Sequence, residues 1–140
     1  MLSSLKEMSK RLDVEDYIYW LGNVPDPKGV LQASDMFLLV STGEAFGLVL
    51  AEAMACGVPI VGTRSGSLPE VVEEGKTGLL VPARNAEELA TAIQALSTDA
   101  TLRHKMSAQA LERVKDHFTV EDAVIKTINI YEELRVGESH

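Results

Sequence analysis

Apolar positions along this chain follow two patterns, and the change from one to the other organises it. Leu2, Leu5, Met8 and Leu12 recur at helical spacing with charges between them, which predicts an amphipathic first helix. Tyr17-Ile18-Tyr19-Trp20-Leu21 is a run of aromatic and β-branched residues ending at Gly22, which predicts a strand. Pro25 and Pro27 mark a loop, and a short helix is expected over roughly 27–34. Met36-Phe37-Leu38-Leu39-Val40 is continuously apolar, as a strand buried on both faces of a parallel sheet would be. A small-residue apolar helix within 46–56 follows, stopped by Gly57 and Pro59. Val58 to Val61 and Leu79-Leu80-Val81 read as two more buried strands. Between them Ser67 is placed to cap a short helix with Pro69 near its start.

Beyond Pro82 the pattern is helical throughout. Asn85 with Glu88, Asp99, and Thr119 with Asp122 stand where N-caps belong. Stripes at Leu89, Ala92, Ile93 and Leu96, at Leu102, Met106, Ala110 and Val114, and at Val120, Val124, Ile128 and Tyr131 follow them. Strands alternating with helices predict an α/β fold, a partial Rossmann-like three-layer arrangement. About four parallel strands, flanking helices and a helical C-terminus are expected, with residues 1–140 as one domain. So small a sheet, with nothing to seal both edges, reads as part of a larger doubly wound domain.

Composition narrows the functional classes. The formal charge of −8 argues against a duplex nucleic-acid binder, which needs a basic face, but leaves room for a nucleotide ligand. No apolar run approaches the roughly 20 residues of a membrane-spanning helix, and the first residues have no signal-peptide core. A single cysteine, Cys56, excludes a disulfide framework within the chain, and a reducing, cytoplasmic setting is the expectation. His104, His117 and His140 have no ligand spacing, so no metal is expected.

The candidate chemistry lies in Ser41 to Gly62. In open α/β sheets, ligands bind beyond the carboxyl ends of the strands, where Ser41, Thr42 and Gly43 leave the second predicted strand. The next helix begins near Phe46 and Gly47, and its unpaired first N–H groups with the helix dipole suit a diphosphate. Gly47 leaves room for a ligand to approach the backbone. Glu44 precedes the helix. Glu52 stands alone among apolar residues from Leu48 to Cys56, a helix expected to be buried nearly all round. There it either binds a partner such as ribose hydroxyls or lies on a solvent-facing strip. Gly66 and Ser67 follow the next strand at the same edge. They form either an ordinary turn or further backbone donors, with Arg64 as a charge partner. Cys56 is expected to pack.

These residues resemble a family. Glu44 to Glu52, followed by Ala-Met-Ala-Cys-Gly-Val-Pro, is similar to the E-x7-E segment of the group 1, or family 4, retaining nucleotide-sugar glycosyltransferases of GT-B fold. Ser34 to Ser41, Gly66 to Val72, Gly75 to Val81, Phe118-Thr119 and Tyr131 resemble the flanking segments in order. The resemblance implies that Glu44 hydrogen-bonds the donor sugar, Glu52 holds the ribose, and the backbone at Phe46, Gly47 and Leu48 receives diphosphate or sugar. It implies a metal-free transferase. It also implies that this chain is the later part of a donor-binding domain. The Arg/Lys-bearing first βαβ portion and the acceptor-binding N-terminal domain have no counterpart here, and Lys6, Lys10 and Arg11 do not match the cationic pair. Two expectations follow. One is a nucleotide-sugar-binding domain inactive in sugar transfer by itself. The other is a non-catalytic module that keeps the fold and pairs as a homodimer or with the missing half.

Overall fold

The computed structural model describes residues 2–42 and 47–137, with side chains described to 131. Helix α1 (Leu2–Arg11) leads into a single 3₁₀ turn at Glu15–Tyr17. Then come α2 (Lys28–Gln32), β1 (Phe37–Leu39), α3 (Leu48–Ala55) and β2 (Ile60–Thr63). They are followed by α4 (Leu68–Val71), β3 (Gly78–Val81), α5 (Ala86–Thr98), α6 (Ala100–His117) and α7 (Val120–Gly137).

Among the described residues the sheet has three strands in the order β1-β2-β3, all parallel. Side chains alternate across it. Phe37, Leu39, Ile60 and Leu80 point to a core shared with Leu31, Leu50, Ala53, Met54, Leu68 and Ala110. Met36, Val61, Leu79 and Val81 point the other way, to Ala92, Leu96 and Met106. Helices thus cover both faces, the three-layer arrangement that parallel strands require. Val58, Ile60, Val61 and Gly62 are buried in this middle layer, and β2 is the one strand buried along its whole length.

Local signals account for the helical half. Asn85 Oδ1 accepts from Glu88 N, Asp99 Oδ1 accepts from Leu102 N, and Thr119 Oγ1 accepts from Asp122 N, each closing an otherwise unpaired first turn. Two glycines answer to packing. Gly57 turns the chain out of α3 at φ 73° under Ser107 and Leu111, so α3 can lie against α6. Gly78 lies where a side chain would strike the backbone of Ile60.

Four expectations need correction. The run at 17–21 forms no strand. It begins in the 3₁₀ turn and continues as extended chain at Ile18, with Tyr17, Tyr19 and Leu21 exposed, because no neighbouring strand offers it a ladder. β1 is an edge strand, so Leu38 and Val40 are exposed rather than buried on a second face. Helix α3 is not buried all round. Leu50, Ala53 and Met54 face the core, whereas Leu48, Glu52 and Ala55 face solvent, because α2 covers little of its outer side. The stripe on α7 is also open, with Val120, Val124, Ile128 and Tyr131 exposed.

Candidate functional site

The carboxyl edge of the sheet is where β1, β2 and β3 hand over to their loops, at Ser41, Arg64 and Pro82. Helix α3 begins beside the first of these. Gly47 is its N-cap, at φ −84° and ψ 64°, and its carbonyl accepts the first helical bond from Leu50 N at 2.8 Å. The residue is buried, and a Cβ there would lie 2.6 Å from Leu50 Cδ1. The need for glycine therefore has an internal cause, the fit of Leu50 under its own helix start. Having no side chain, Gly47 gives the first amides of α3 no side-chain cap. Leu48, the first helical residue, is 65% exposed on the open side of α3. Gly43, Glu44 and Phe46 lie outside the described residues.

Glu52 is exposed and lines an open cleft of about 430 Å³ between α2 and α3, with Asp26, Pro27, Lys28, Leu31, Ala55 and Cys56. The structure puts this residue on the solvent-facing strip that was one of its two alternatives, and that strip also borders the cleft. The carboxylate reaches solvent and the cleft together. Cys56 packs against the core on one side and borders the same cleft on the other. Asp26 and Lys28 came to the cleft through the turn at Pro27, and nothing in their local sequence singled them out.

The loop after β2 is braced differently from its expected reading. Ser67 caps α4 by position, but its side chain makes no capping hydrogen bond, and its buried Oγ has no partner among the described residues. Gly66, at φ 54°, makes the turn that a residue with a side chain would strain to make. Arg64 is turned away along the sheet. Its Nη2 donates to Glu74 Oε2 and to Leu80 O, both at 3.1 Å, which engages the guanidinium as a brace on β3.

A hydroxyl cluster not anticipated from the sequence joins the ends of β1 and β2. Ser41 N donates to Thr63 Oγ1 at 3.1 Å, Thr63 Oγ1 donates back to Ser41 O, and Ser65 Oγ donates to the same carbonyl at 2.7 Å. The partners are more than twenty residues apart, so no local signal could reveal the cluster.

A separate polar cavity of about 220 Å³ lies beside the turn that precedes β3, lined by Glu73, Lys76, Arg113 and His117 among others. The Glu73 carboxyl is held below the usual glutamate range by its hydrogen bond from Lys76. The charges of Lys76, Arg113 and His117 reinforce the shift, and partial desolvation opposes it. Among the described residues no group of three or more His, Cys, Asp or Glu side chains could hold a metal ion.

Residues 1–113 match the family described as Glycosyl transferases group 1. The chain belongs to the group 1 glycosyltransferases. Among relatives of this glycosyltransferase chain is the N-acetyl-alpha-D-glucosaminyl L-malate synthase of Bacillus anthracis, 39% identical over 128 residues that cover 91% of the chain and 34% of the relative. A D-inositol 3-phosphate glycosyltransferase of Kribbella flavida is 36% identical over 111 residues, covering 78% of the chain and 26% of the relative. The chain thus spans about a third or less of these curated relatives. Among solved structures, Anabaena HepE in complex with UDP superposes with TM-score 0.85 at 30% identity, over 96% of this chain and 36% of that one. Sucrose-phosphate synthase from Thermosynechococcus elongatus gives 0.84 at 29%, over 95% and 34%. The C-terminal domain of a group 1 glycosyltransferase, LpcC of Francisella tularensis, gives 0.75 at 25%, over 84% of this chain and 62% of that domain. The α/β architecture with its parallel sheet is that of the GT-B glycosyltransferases. No helix among the described residues is long and apolar enough to cross a membrane.

Proposed function

We propose that this chain is the later portion of the donor-binding domain of a retaining nucleotide-sugar glycosyltransferase. On this reading it binds a nucleoside diphosphate sugar in the cytoplasm without a metal. It needs a first βαβ portion and an acceptor-binding domain to transfer the sugar. The observation that carries the reading is the start of α3 at Gly47, beside the carboxyl end of β1, with Glu52 exposed one turn further along the same helix. The Gly66-Ser67 turn follows β2 at the carboxyl edge of the sheet. The backbone at Gly43, Phe46, Gly47 and Leu48 would receive the diphosphate, since helix-start amides and the α3 dipole favour an anion. Glu52 would accept from the ribose hydroxyls, Glu44 would bind the sugar and act in catalysis, and Gly66 and Ser67 would add donors. The Ser67 Oγ, buried and without a described partner, retains a proton to give. HepE, at 30% identity, is a protein with UDP, UDP and glucose, and UDP-glucose complexes, which favours a uridine donor here.

Such a site works by electrostatics. Sugar transfer leaves charge on the departing diphosphate while positive charge develops on the sugar ring. Fixed N–H donors at a helix start stabilise the first without reorganising. Calorimetric titration of the 140-residue chain with UDP, GDP and ADP tests the reading. Heat of binding with UDP at millimolar ligand is expected, and its absence with all three nucleotides refutes donor binding.

One observation favours a second reading, a pairing module that keeps the fold. The outer edge of β1 is unpaired among the described residues, and Leu38 and Val40 are exposed along it. Light scattering that gives a monomer at high concentration removes the homodimer form of this reading.

A further inference from the structure

We propose that the cleft between the strand ends and α5 is a binding site for a compact apolar carboxylate, with Arg84 at its mouth. The cleft encloses about 190 Å³ and is lined by Val40, Thr63, Val81, Pro82, Arg84 and Leu89 among others. It lies on the α5 face of the sheet, where Val81 and Leu89 join the core around Ala92 and Leu96, whereas α3 packs on the opposite face. No described residue of the proposed donor site lines it. The inference therefore goes beyond that reading and does not depend on it.

The lining decides the chemistry of the occupant. Its walls are mainly aliphatic, and the hydroxyl of Thr63 is already spent on Ser41. Such a surface takes an apolar body. The mouth is different. Arg84 is exposed, and among the described residues its guanidinium has no hydrogen bond or ion pair, whereas Arg64, Arg103 and Arg113 each hold backbone carbonyls. A guanidinium presents parallel N–H groups that match the two oxygens of a carboxylate. Arg84 also stands at φ 62°, where asparagine or glycine would be less strained, so the turn by itself does not call for arginine. Glu87 and Glu88 follow in the first turn of α5 but do not line the cleft, and Glu88 is held by Asn85 Nδ2 at 2.5 Å. With a formal charge of −8 on the chain, one negative charge is easier to admit than two, which favours a carboxylate over a phosphate. The volume is below the roughly 300–1,000 Å³ of sites for drug-sized ligands, so the apolar body is no larger than a single ring.

Benzoate is the probe, followed by NMR titration of the whole chain, with melting midpoints read on the same samples. Saturable shifts centred on Val81, Arg84 and Leu89 are expected at millimolar benzoate, as suits a ligand of so few atoms. Benzamide keeps the ring without the charge, and acetate keeps the charge without the ring. Each should bind about tenfold more weakly or worse. Arg84→Asn should lose about tenfold in benzoate affinity while its midpoint stays at or above that of the wild type, because asparagine accepts a positive φ. Ala86→Leu fills the cleft from an exposed position and should abolish binding with Arg84 intact. Shifts that do not saturate or that centre elsewhere overturn the inference. So do equal affinities for benzoate and benzamide, or wild-type affinity in Arg84→Asn or in a folded Ala86→Leu. If Ala86→Leu does not fold, Arg84→Asn and the three ligands decide. Saturating UDP should leave benzoate affinity within about twofold, since the two sites share no described residue. Loss of benzoate binding in UDP would assign Arg84 to the nucleotide and overturn a separate site. A chain that binds benzoate and not UDP refutes the donor-site reading and leaves this inference standing.

Discussion

Replacing Gly78 by alanine tests the central parallel pairing. A Cβ at Gly78 would lie 2.4 Å from Ile60 O and 3.0 Å from Ile60 C. A relaxed carbon–oxygen contact needs about 3.3 Å, so β3 would have to withdraw from β2 by roughly 0.9 Å at that point. The obstruction is backbone, so no side-chain rotation can relieve it. Ile60 pairs directly with Gly78, and the adjacent bond from Ile60 N to Thr77 O is already 3.3 Å long, so the shift breaks it. Overpacking costs about 1–3 kcal/mol and a lost rung about 1 kcal/mol, so roughly 2–4 kcal/mol is expected. For a chain of this size that lowers the melting midpoint by roughly 6–14 °C. Gly29→Ala is the matched control. It stands in α2 with nothing within 4 Å of the added methyl, and removing a helical glycine should stabilise by about 0.5–1 kcal/mol. Thermal melts followed by circular dichroism compare the two. A Gly78→Ala midpoint within about 2 °C of wild type, or shifts of the same sign in both variants, would refute the strand geometry on which the estimate rests.

Arg113 donates from Nε to Val71 O and from Nη2 to Glu70 O, each at 2.7 Å, and so ties α6 to the end of α4. Arg113→Met should cost roughly 2–4 kcal/mol in urea unfolding, as charged donors to carbonyls usually do, and a change below about 0.5 kcal/mol would argue against the tie. Glu73, with its folded-state acidity raised chiefly by Lys76, contributes stability above the ordinary glutamate range that is lost as pH falls through the lowered value. Melting midpoints of wild type and Lys76→Met should therefore differ at neutral pH and converge in acid, and a gap that persists in acid contradicts the assignment. Glu52→Gln should weaken UDP binding about tenfold, equivalent to roughly 1.4 kcal/mol, and leave the melting midpoint unchanged because the side chain is exposed. Unchanged affinity would remove Glu52 from the proposed ribose contact.

What could be read in the sequence was what neighbours a few residues apart decide. The caps at Asn85, Asp99 and Thr119 are three-residue devices, and each forms as its spacing predicts. The runs that became β1, β2 and β3 were legible for the same reason. Burial was less so, because an apolar stripe states that a face prefers cover without saying whether any is there. The stripe of α5 finds Val61 and Val81 beneath it, whereas that of α7 remains open. The run at 17–21 has the residue types of a strand, yet a strand exists only opposite another. Glu52 shows the same limit, since the burial expected of α3 around it did not form. Its neighbours along the chain are apolar, but its neighbours in space are a cleft and solvent. The Thr63–Ser65 cluster was out of reach because it depends on the register of two strands that the sequence does not pair.

On the proposed reading, these differences in burial bear on how recognition and transfer divide. The phosphate end of the site is anchored by the best-packed part of the chain. Leu50 and Met54 root α3, Ile60 and Val61 root β2, and all four are fully buried. A site that must hold fixed dipoles against a growing negative charge needs such a foundation, since dipoles that move lose their advantage. Transfer needs more than this. Cationic groups must meet the leaving diphosphate, and an acceptor hydroxyl must approach the sugar from its open side. Arg64, the nearest guanidinium in sequence to the Gly66-Ser67 turn, is committed to Glu74 and Leu80. Arg84, after β3, lines a cleft with Val40 and Thr63 at the same edge and is one guanidinium near it, and the edge of β1, open among the described residues, is where parallel strands could add further cations to this sheet. Nucleotide affinity should then be present in the chain while transfer waits on what completes that edge.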